Sequence, residues 1–309
     1  MFQRACVIIA NGATLRRRQF GAGAALGLAL SLGAHSAQAL VLVVRDDLGR
    51  SVELAHYPQR IVTLLPSLTE TVCALGACDR LVATDRYSDW PAPVKGLPKA
   101  GGIDDAQVEL IVGLKPDLVL LSRSQRITGR LQDLGVASFA LNTDSYAEIS
   151  HTVTVIGEIL GLPDRAERLN EAIAGAVQAI SAQAIAHRHG HEPSVYFEVD
   201  GPPYAAGPAS FIGELLALLG ARNIVTADLG PFPWLNPEYV VRHDPDVIFV
   251  SPSEAARVAD RPGWDRIRAV REHRVCSFTP AVRDTIVRPG PRVAEGMRAI
   301  EDCLAKVSP

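Results

Sequence analysis

One pattern occurs twice in this chain and limits the folds open to it. A helix-like segment, a Pro-Asp turn and a wholly apolar run follow one another in Val108–Leu121 and again in Pro237–Val250. In both copies the proline lies seven residues after a glutamate. The apolar runs do not alternate, which is typical of central parallel strands covered on both faces. The repeat predicts an α/β protein with two Rossmann-like parallel-sheet lobes.

An earlier part of each half supports the same division. Arg60–Leu65 and Ser194–Val199 are short β-rich runs, and each precedes a helical segment that ends in Leu-Gly-Ala. The first of these helices opens with the residues Ser67-Leu68-Thr69-Glu70, which have the spacing of a capping box. We therefore expect the side chains of Ser67 and Glu70 to satisfy free amides at the start of that helix.

A helical connection separates the two halves. Tyr146–Leu160 has a helical pattern, and Asp164–Ala186 is rich in Ala, Glu, Arg and Gln, which favour helix. At about 1.5 Å per residue the second helix spans roughly 35 Å. We interpret it as a long rigid helix, a spine, that joins the lobes and permits only small lobe closure. The alternative is a long surface helix inside one domain. His187–His191 then forms a solvated linker or, less favoured because no other ligand clusters beside it, a metal site.

The first 39 residues have the layout of an export signal. Arginines at 16–18 precede the small and apolar run Gly21–Gly33, and Ala37-Gln38-Ala39 forms an A-x-A cleavage site. The basic segment resembles a twin-arginine signal, and an ordinary secretory signal is the alternative. No cysteine stands at the cleavage site, so we expect a soluble periplasmic protein rather than a lipoprotein. The predicted organisation is a cleaved signal at 1–39, an N-terminal lobe at 40–145, a helical connection at 146–190 and a C-terminal lobe at 191–309.

The cysteines that follow the signal are even in number: Cys73, Cys78, Cys276 and Cys303. An oxidising compartment favours disulfides. We favour the pairs Cys73–Cys78 and Cys276–Cys303, because each then stays within one lobe, and buried free thiols are the alternative. Neither spacing is that of a zinc site, and we expect no bound metal.

Charge and motifs disfavour two classes of function. The net charge is −3, and the signal alone holds four arginines and no acid, so the mature chain is more acidic and has no general attraction for nucleic acid. The chain contains no G-x-S-x-G, P-loop, G-x-G-x-x-G or H-E-x-x-H motif. We therefore predict a binding protein that is not an enzyme, with no catalytic residues and no cofactor.

Aromatic and basic side chains follow several of the predicted strands. A parallel α/β lobe binds ligands beyond the carboxyl ends of its strands, so we expect loops of both lobes to face one cleft. Aromatic rings there stack on a large flat ligand, and arginines bond its rim. Core packing is the alternative for each ring, although Trp90 and Trp234 each neighbour a proline in a loop. Trp264 precedes a helix and is expected to be structural. The candidate ligand-binding residues are Tyr87, Trp90, Arg123, Tyr204, Phe232, Trp234, Arg283 and Arg288.

Glu109 and Glu238 occupy the same place in the two repeats, near the start of a helix. A carboxylate there interacts favourably with the positive end of the helix dipole, and this stabilisation alone would explain its presence. The functional alternative is a pair of surface acids, one on each lobe, that dock on a partner with two-fold symmetry.

Together these motifs resemble those of periplasmic binding proteins that have a helical backbone between their lobes. The resemblance runs from about Arg60 to the C-terminus and is carried by Arg60–Glu70, Tyr87–Pro91, Leu114–Val119, Pro233-Trp234 with Glu238, and Pro291-Arg292. It implies that Glu109 and Glu238 form salt bridges with arginines of a dimeric permease. It also implies that the loops Tyr87–Pro91 and Phe232–Trp234 line the ligand cleft.

Among the subgroups, the cobalamin-binding one is most similar, because its Tyr-Ser-Asp-Tyr-Pro segment matches Tyr87–Pro91 with one change. Haem-binding relatives place an axial tyrosine just before the proline, where this chain has Trp90, and indole cannot ligate iron. Two features depart from the cobalamin pattern. Ala100–Ile103 lacks a tryptophan, and the helix matching Glu214–Leu219 lacks the cysteine that pairs with the final helix, for which Cys276 is the expected replacement.

The resemblance thus implies a monomeric periplasmic receptor. It would capture a small-molecule metal chelate, a corrinoid, between its lobes and deliver it to the permease dimer and ATPase of an ABC importer. A haem or iron-siderophore receptor of the same fold is the alternative within this class, with Arg123, Arg283 and Arg288 as anion contacts. A periplasmic enzyme or chelate chaperone is the alternative from another class.

Overall fold

A computed structural model describes residues 42–188, 190–200 and 204–307, so the expected export signal at 1–39 lies outside the described residues. The strands are β1 (Leu42–Arg45), β2 (Ser51–Leu54), β3 (Ile61–Thr63), β4 (Leu81–Thr84), β5 (Leu118–Ser122), β6 (Ser138–Leu141), β7 (Ser194–Asp200), β8 (Tyr204–Ala205), β9 (Arg222–Asn223), β10 (Val247–Phe249) and β11 (Val275–Cys276). The helices are α1 (Pro66–Ala74), α2 (Val108–Gly113), α3 (Thr128–Asp133), α4 (Tyr146–Leu160), α5 (Pro163–His187), α6 (Phe211–Leu218), α7 (Pro237–His243), α8 (Pro252–Ala255), α9 (Arg268–Arg271), α10 (Pro280–Val287) and α11 (Val293–Leu304).

Two parallel sheets with the same strand order confirm the predicted fold class. In the N-terminal lobe the order is β4-β3-β5-β6, and every neighbouring pair is parallel. In the C-terminal lobe the parallel strands run β9-β7-β10-β11, and the short β8 adds an antiparallel edge. The two apolar runs of the sequence repeat become β5 and β10, which occupy equivalent central places and are buried at every residue. Their lack of alternation follows from this burial on both faces.

The spine is α5, a helix of 25 residues that spans roughly 37 Å. It begins at Pro163, which lacks a backbone N–H. No helix hydrogen bond is lost there, because the N–H of a first helical residue has no partner within the helix. Its apolar side packs against α4 and α11. One end is fastened to the N-terminal lobe, where Nη1 of Arg165 donates to the carbonyl oxygen of Leu75 at 3.0 Å. Near the other end, Oγ of Ser181 donates to the carbonyl oxygen of Leu218 in the C-terminal lobe at 2.5 Å.

The segment after the spine differs from the expected solvated linker at one residue. The side chain of Arg188 is 2% exposed, pairs with Glu301 of α11 and donates to the carbonyl oxygen of Leu219. His187 and His191 on either side are exposed. The linker interpretation is therefore wrong for Arg188, because the guanidinium ties the end of the spine to two elements of the C-terminal lobe.

The capping-box interpretation of Ser67 and Glu70 is also wrong. Helix α1 begins at Pro66, so Leu65 takes the N-cap position and the helix start has no side-chain cap. Ser67 then lies inside the first turn, where its hydroxyl is buried and has no hydrogen-bond partner among the described residues. Glu70 turns away from the helix start and contacts arginines of the C-terminal segment. Proline at the first helical position moved the start by two residues relative to the expected cap.

The last two helices return the chain from the C-terminal lobe toward the N-terminal one. Helix α10 crosses close to α11, and a Cβ added at Gly296 would lie 2.5 Å from the carbonyl oxygen of Thr285. The turn between these helices reaches α1, where Gly290 approaches Ser67. Disulfides join Cys73 to Cys78 and Cys276 to Cys303, each within one half of the chain. Among the described helices, none has the length and apolarity that crossing a membrane requires.

Candidate ligand-binding site

A cavity of about 380 Å³ lies between the two halves of the chain. Its N-terminal wall comes from residues at or just beyond the carboxyl ends of strands: Leu65 after β3, Ser122 in β5 and Thr143 after β6. Its opposite wall is formed by α10 and the turn after it, including Arg283 and Arg288. The cavity therefore occupies the place where parallel α/β lobes bind ligands.

A second cavity of about 350 Å³ belongs to the C-terminal lobe. It lies at the carboxyl ends of β7 and β10, and Phe197 and Phe278 are among its lining residues. Phe249 stacks on Phe197 with ring centroids 5.1 Å apart and on Phe278 with centroids 5.6 Å apart. Arg283 lines both cavities, and its Nη2 donates to the carbonyl oxygen of Val199 at 2.9 Å. Arg283 is thus the residue that lines both cavities.

The aromatic candidates are all exposed on the surface of the described structure. The exposed fractions are 59% for Tyr87, 48% for Trp90, 48% for Tyr204, 53% for Phe232 and 65% for Trp234. Large rings left this open are typical of binding surfaces. Trp264, in contrast, is 1% exposed and packs edge-on against Tyr196, as the sequence predicts for a structural residue.

The positions of these rings relative to the cavities differ. Tyr87 lines the cavity between the halves, whereas Trp90, Tyr204, Phe232 and Trp234 line neither cavity. Tyr204 and Trp234 are paired by an antiparallel bridge, so the β8 edge and the tryptophan loop form one surface. Arg123 is exposed and lines neither cavity. The structure therefore brings Tyr87, Arg283 and Arg288 around one cavity and leaves the other candidates outside it.

The segment Tyr87–Pro91, here called the aromatic loop, is anchored from beneath by a buried polar chain. The carboxylate of Asp85 accepts from the backbone N–H of Tyr87 at 2.7 Å and from the hydroxyl of Ser88. The Ser88 hydroxyl lies 2.7 Å from that of Thr69, in α1. Burial raises the pKa of Asp85, and the hydrogen bonds from Ser88 and Tyr87 oppose that rise.

Lys99 also supports this loop. Its Nζ donates to the carbonyl oxygen of Ser88 at 2.6 Å and to Oγ1 of Thr84 at 2.9 Å. Burial lowers the pKa of Lys99, while the negative charges of Asp85 and Asp89 raise it. The loop's backbone is thus held from below by Lys99 as well as by the buried hydroxyls.

A cluster of charges joins the aromatic loop to the C-terminal helices. Nη1 of Arg288 lies 3.0 Å from both Oε1 of Glu70 and Oδ1 of Asp89, and Nη2 lies 2.8 Å from Oδ2 of Asp284. Nη2 of Arg288 also donates to the carbonyl oxygen of Tyr87 at 3.0 Å. The expected role of Arg288 as an anion contact therefore needs revision, because three carboxylates already surround its guanidinium.

Sequence reasoning missed two residues of this cluster. Glu70 was expected to cap a helix, and Arg292 was not among the candidate ligand-binding residues, yet their side chains are 3% and 15% exposed. Nε and Nη2 of Arg292 donate to the two carboxylate oxygens of Glu70 at 2.9 and 2.8 Å. The available signal was the Pro-Gly-Pro turn before Arg292, which ends α10 and directs the arginine toward α1.

The two proposed docking acids are exposed and lie in the first turns of α2 and α7. Because each helix precedes a parallel strand of its lobe, both first turns lie at the carboxyl-end side of the sheets, where the cleft opens. Glu109 pairs with Arg130 of α3, and both side chains are largely exposed. The backbone N–H of Glu238 donates to Oδ1 of the N-cap residue Asn236 at 2.9 Å. Their positions agree with the helix-dipole explanation as well as with docking.

Comparison with known proteins places this architecture in a family. Residues 61–282 match the model of the periplasmic binding protein family, and the chain belongs to it. It is 30% identical over 272 residues to an uncharacterised ABC transporter substrate-binding lipoprotein, YvrC, of Bacillus subtilis, covering 85% of each chain. It is also 30% identical over 267 residues to a cobalamin-binding protein of Halobacterium salinarum, covering 82% of this chain and 71% of the relative.

Solved structures match the fold over four fifths of the chain. The periplasmic vitamin B12-binding protein BtuF of Vibrio cholerae superimposes with a TM-score of 0.69 at 23% identity, covering 81% of this chain and 98% of that one. A periplasmic haem-binding protein of Pseudomonas aeruginosa gives a TM-score of 0.73 at 24% identity, covering 82% and 94%. The predicted helical-backbone architecture is therefore confirmed, and at these identities the likeness concerns the fold alone.

Proposed function

We propose that this protein is a receptor for a corrinoid, which it captures in the cleft between its lobes and delivers to an ABC importer. Relatives of the family are substrate-binding proteins of ABC transporters, which implies a permease and ATPase as partners and a location outside the cytoplasmic membrane. The corrinoid assignment is supported by a relative named as cobalamin-binding at 30% identity. It is also supported by the half-exposed aromatic side chains of both lobes.

The charge balance of the two cavities is the observation that carries this proposal. Their lining includes the acids Asp144, Asp284, Glu198 and Glu254, and all of these but Asp144 pair with an arginine of the described structure. Arg288 is neutralised by its carboxylate partners, which leaves Arg283 as the lining arginine that the described structure does not pair with an acid. A haem presents two propionates, whereas a corrinoid presents neutral amide side chains. A site with one available guanidinium, in which most of the other charges are already compensated within the protein, suits neutral amides better than a dianion.

Haem is the second candidate, and one observation favours it. The phenol of Tyr87 is exposed and lines the cavity between the halves, where it could approach iron. Tyrosine is a known haem ligand in proteins. Trp90, in the position before the proline, offers no such group.

A titration tests the proposal. The purified protein is titrated with cyanocobalamin, cobinamide and haem while tryptophan fluorescence and visible absorbance are recorded. We expect both corrinoids to quench fluorescence saturably and haem to leave its Soret band unchanged. A saturable Soret shift that Tyr87→Phe abolishes, with no response to either corrinoid, would replace the corrinoid proposal by the haem one.

A further inference from the structure

The aromatic loop is held from the opposite end of the sequence. Nη2 of Arg288 donates to the carbonyl oxygen of Tyr87 at 3.0 Å, and Nη1 pairs with Asp89 at 3.0 Å. The guanidinium carbon of Arg292 lies 5.0 Å from the centre of the Trp90 ring, within cation–π range. Two arginines from the turn after α10 therefore contact the backbone, the acid and the indole of this loop.

Glu70 fixes both arginines in these positions. Its two oxygens accept from Nε and Nη2 of Arg292 at 2.9 and 2.8 Å, which is a two-pronged pair, and Oε1 also accepts from Nη1 of Arg288 at 3.0 Å. The Glu70 side chain is 3% exposed, so this carboxylate depends on both guanidiniums for its charge compensation. One edge of the Arg292 guanidinium is thereby bound to Glu70, and the face of the same guanidinium remains available to the Trp90 ring.

Only arginine can make both contacts at once. Its planar fork bonds a carboxylate along an edge and stacks on an aromatic ring through its face, whereas the compact ammonium of lysine does not combine the two. Trp90 is 48% exposed while Arg292 contacts its ring. The indole is thus supported on the protein side and open to solvent elsewhere.

We propose that Arg292, fixed by Glu70, is a positioning residue of the ligand site that orients Trp90 before ligand arrives, with Arg288 setting the backbone of the aromatic loop. This inference rests on the proposed capture of a corrinoid by that loop. An aromatic ring that is already oriented loses less side-chain entropy on binding, so affinity is gained without any contact between Arg292 and the ligand.

A double-mutant cycle tests the proposal, with cyanocobalamin as the probe. Arg292→Lys keeps a positive charge beside Glu70 and removes the guanidinium from the Trp90 ring, and Arg298→Lys, at an exposed position of the following helix α11, is the matched control. We expect the Kd to rise about tenfold in Arg292→Lys and to stay unchanged in Arg298→Lys. In a Trp90→Ala background Arg292→Lys should have no further effect, because Arg292 acts through that ring.

Two further measurements need no ligand. In Arg292→Lys, amide hydrogen exchange over the aromatic loop should accelerate, and the emission of Trp90, taken as the difference from Trp90→Phe, should change. Equal losses of affinity with and without Trp90 would overturn the proposal, as would unchanged exchange and emission. If the wild-type protein binds no corrinoid, only the proposed function is contradicted. Hydrogen exchange and Trp90 emission then still show whether Arg292 orders the aromatic loop.

Discussion

Glu198 and Arg261 form a buried two-pronged ion pair beneath the cavity of the C-terminal lobe. Nη1 of Arg261 lies 2.8 Å from Oε2 of Glu198 and Nη2 lies 2.9 Å from Oε1, and the side chains are 12% and 2% exposed. The guanidinium also lies 4.5 Å from the ring centre of Trp264, which connects the cavity floor to the core. The hydroxyl of Tyr196 donates to the same carboxylate at 3.1 Å. Burial beside this acid raises the pKa of Tyr196, so the phenol stays protonated and remains a donor.

Breaking this pair should be costly. Arg261→Met leaves the Glu198 carboxylate buried without its main counter-charge, and we expect the free energy of unfolding to fall by about 3–5 kcal/mol in urea denaturation. The double variant Arg261→Met with Glu198→Gln should recover a large part of that loss, because the most deeply buried charge is then absent and Glu254, the other partner of Arg261, keeps its pair with Arg257. Arg257→Met is the control, since Arg257 is 72% exposed and its pair with Glu254 should contribute under about 1 kcal/mol. Equal costs for the two arginines would contradict this account.

The exposed aromatic rings should contribute to affinity and not to stability. We expect Trp90→Ala and Trp234→Ala each to weaken cyanocobalamin binding by about 1–2 kcal/mol, roughly tenfold, as measured by fluorescence or calorimetric titration. Because both rings are about half exposed or more, the thermal midpoint should hardly change. Leu134→Ala, at a residue that is 50% exposed and lies outside both cavities, is the matched control. If the variant with both substitutions still bound cyanocobalamin as tightly as the wild type, neither ring would belong to the ligand site.

The two surface acids should act in delivery and not in capture. Glu109→Arg together with Glu238→Arg should leave the ligand Kd unchanged and abolish uptake by the partner importer, because each reversal places like charges against the permease arginines that the family resemblance implies. Glu167→Arg, at an exposed acid of the spine, is the control and should transport normally. Uptake at the wild-type rate by the double variant would show that these acids serve only the helix dipoles.

A histidine–aspartate contact should make stability depend on pH. Nε2 of His151 in α4 lies 3.0 Å from Oδ1 of Asp47 in the turn between β1 and β2. The hydrogen bond with Asp47 raises the pKa of His151 above its ordinary value of 6.5, and burial opposes this. Burial acts to raise the pKa of Asp47, but the hydrogen bonds from His151 and from the backbone of Asn142 outweigh it, so that pKa is lowered.

The sign of the pH effect follows from the raised pKa of His151. While Asp47 is ionised, the stabilisation is fully present below the ordinary histidine pKa and is lost as pH rises through the higher pKa of the folded state. Urea unfolding of the wild type and His151→Asn should therefore differ near pH 6 and converge at alkaline pH. His56→Asn, at an exposed histidine, should follow the wild type throughout. A difference that stays constant with pH would mean that packing, and not charge, accounts for the effect of His151.

Local sequence patterns predicted the architecture because it depends on local properties. Unbroken apolar runs have to be buried on both faces, so β5 and β10 could be recognised as central strands. The run after Pro163 has high helix propensity and no further proline, and it forms a single helix. The identical strand order of the two sheets follows from the repeat of these units along the chain.

Patterns of the same kind failed where a side chain's partner lies far away in sequence. The spacing of Ser67 and Glu70 indicated a cap, but Pro66 moved the helix start and Glu70 pairs with residues more than 200 positions later. Arg288 was expected to contact an anionic ligand because it follows a predicted strand. Only the packing of α10 shows that three carboxylates already surround its guanidinium. The close packing of α10 on α11 and the approach of the turn between them to α1 occur at Gly296 and Gly290, and no periodicity in the sequence indicates these contacts.

The sequence by itself determined that the chain has two similar α/β lobes, a helical connection between them and aromatic residues in the loops beyond their strands. These features depend on apolar periodicity, helix propensity and proline position, all of which act over a few residues. Only the tertiary structure decided which charges remain available to a ligand. A buried charge needs counter-charges, and folding can bring these from distant parts of the chain. The carboxylate of Glu70, for example, is compensated by Arg288 and Arg292, which lie near the other end of the chain.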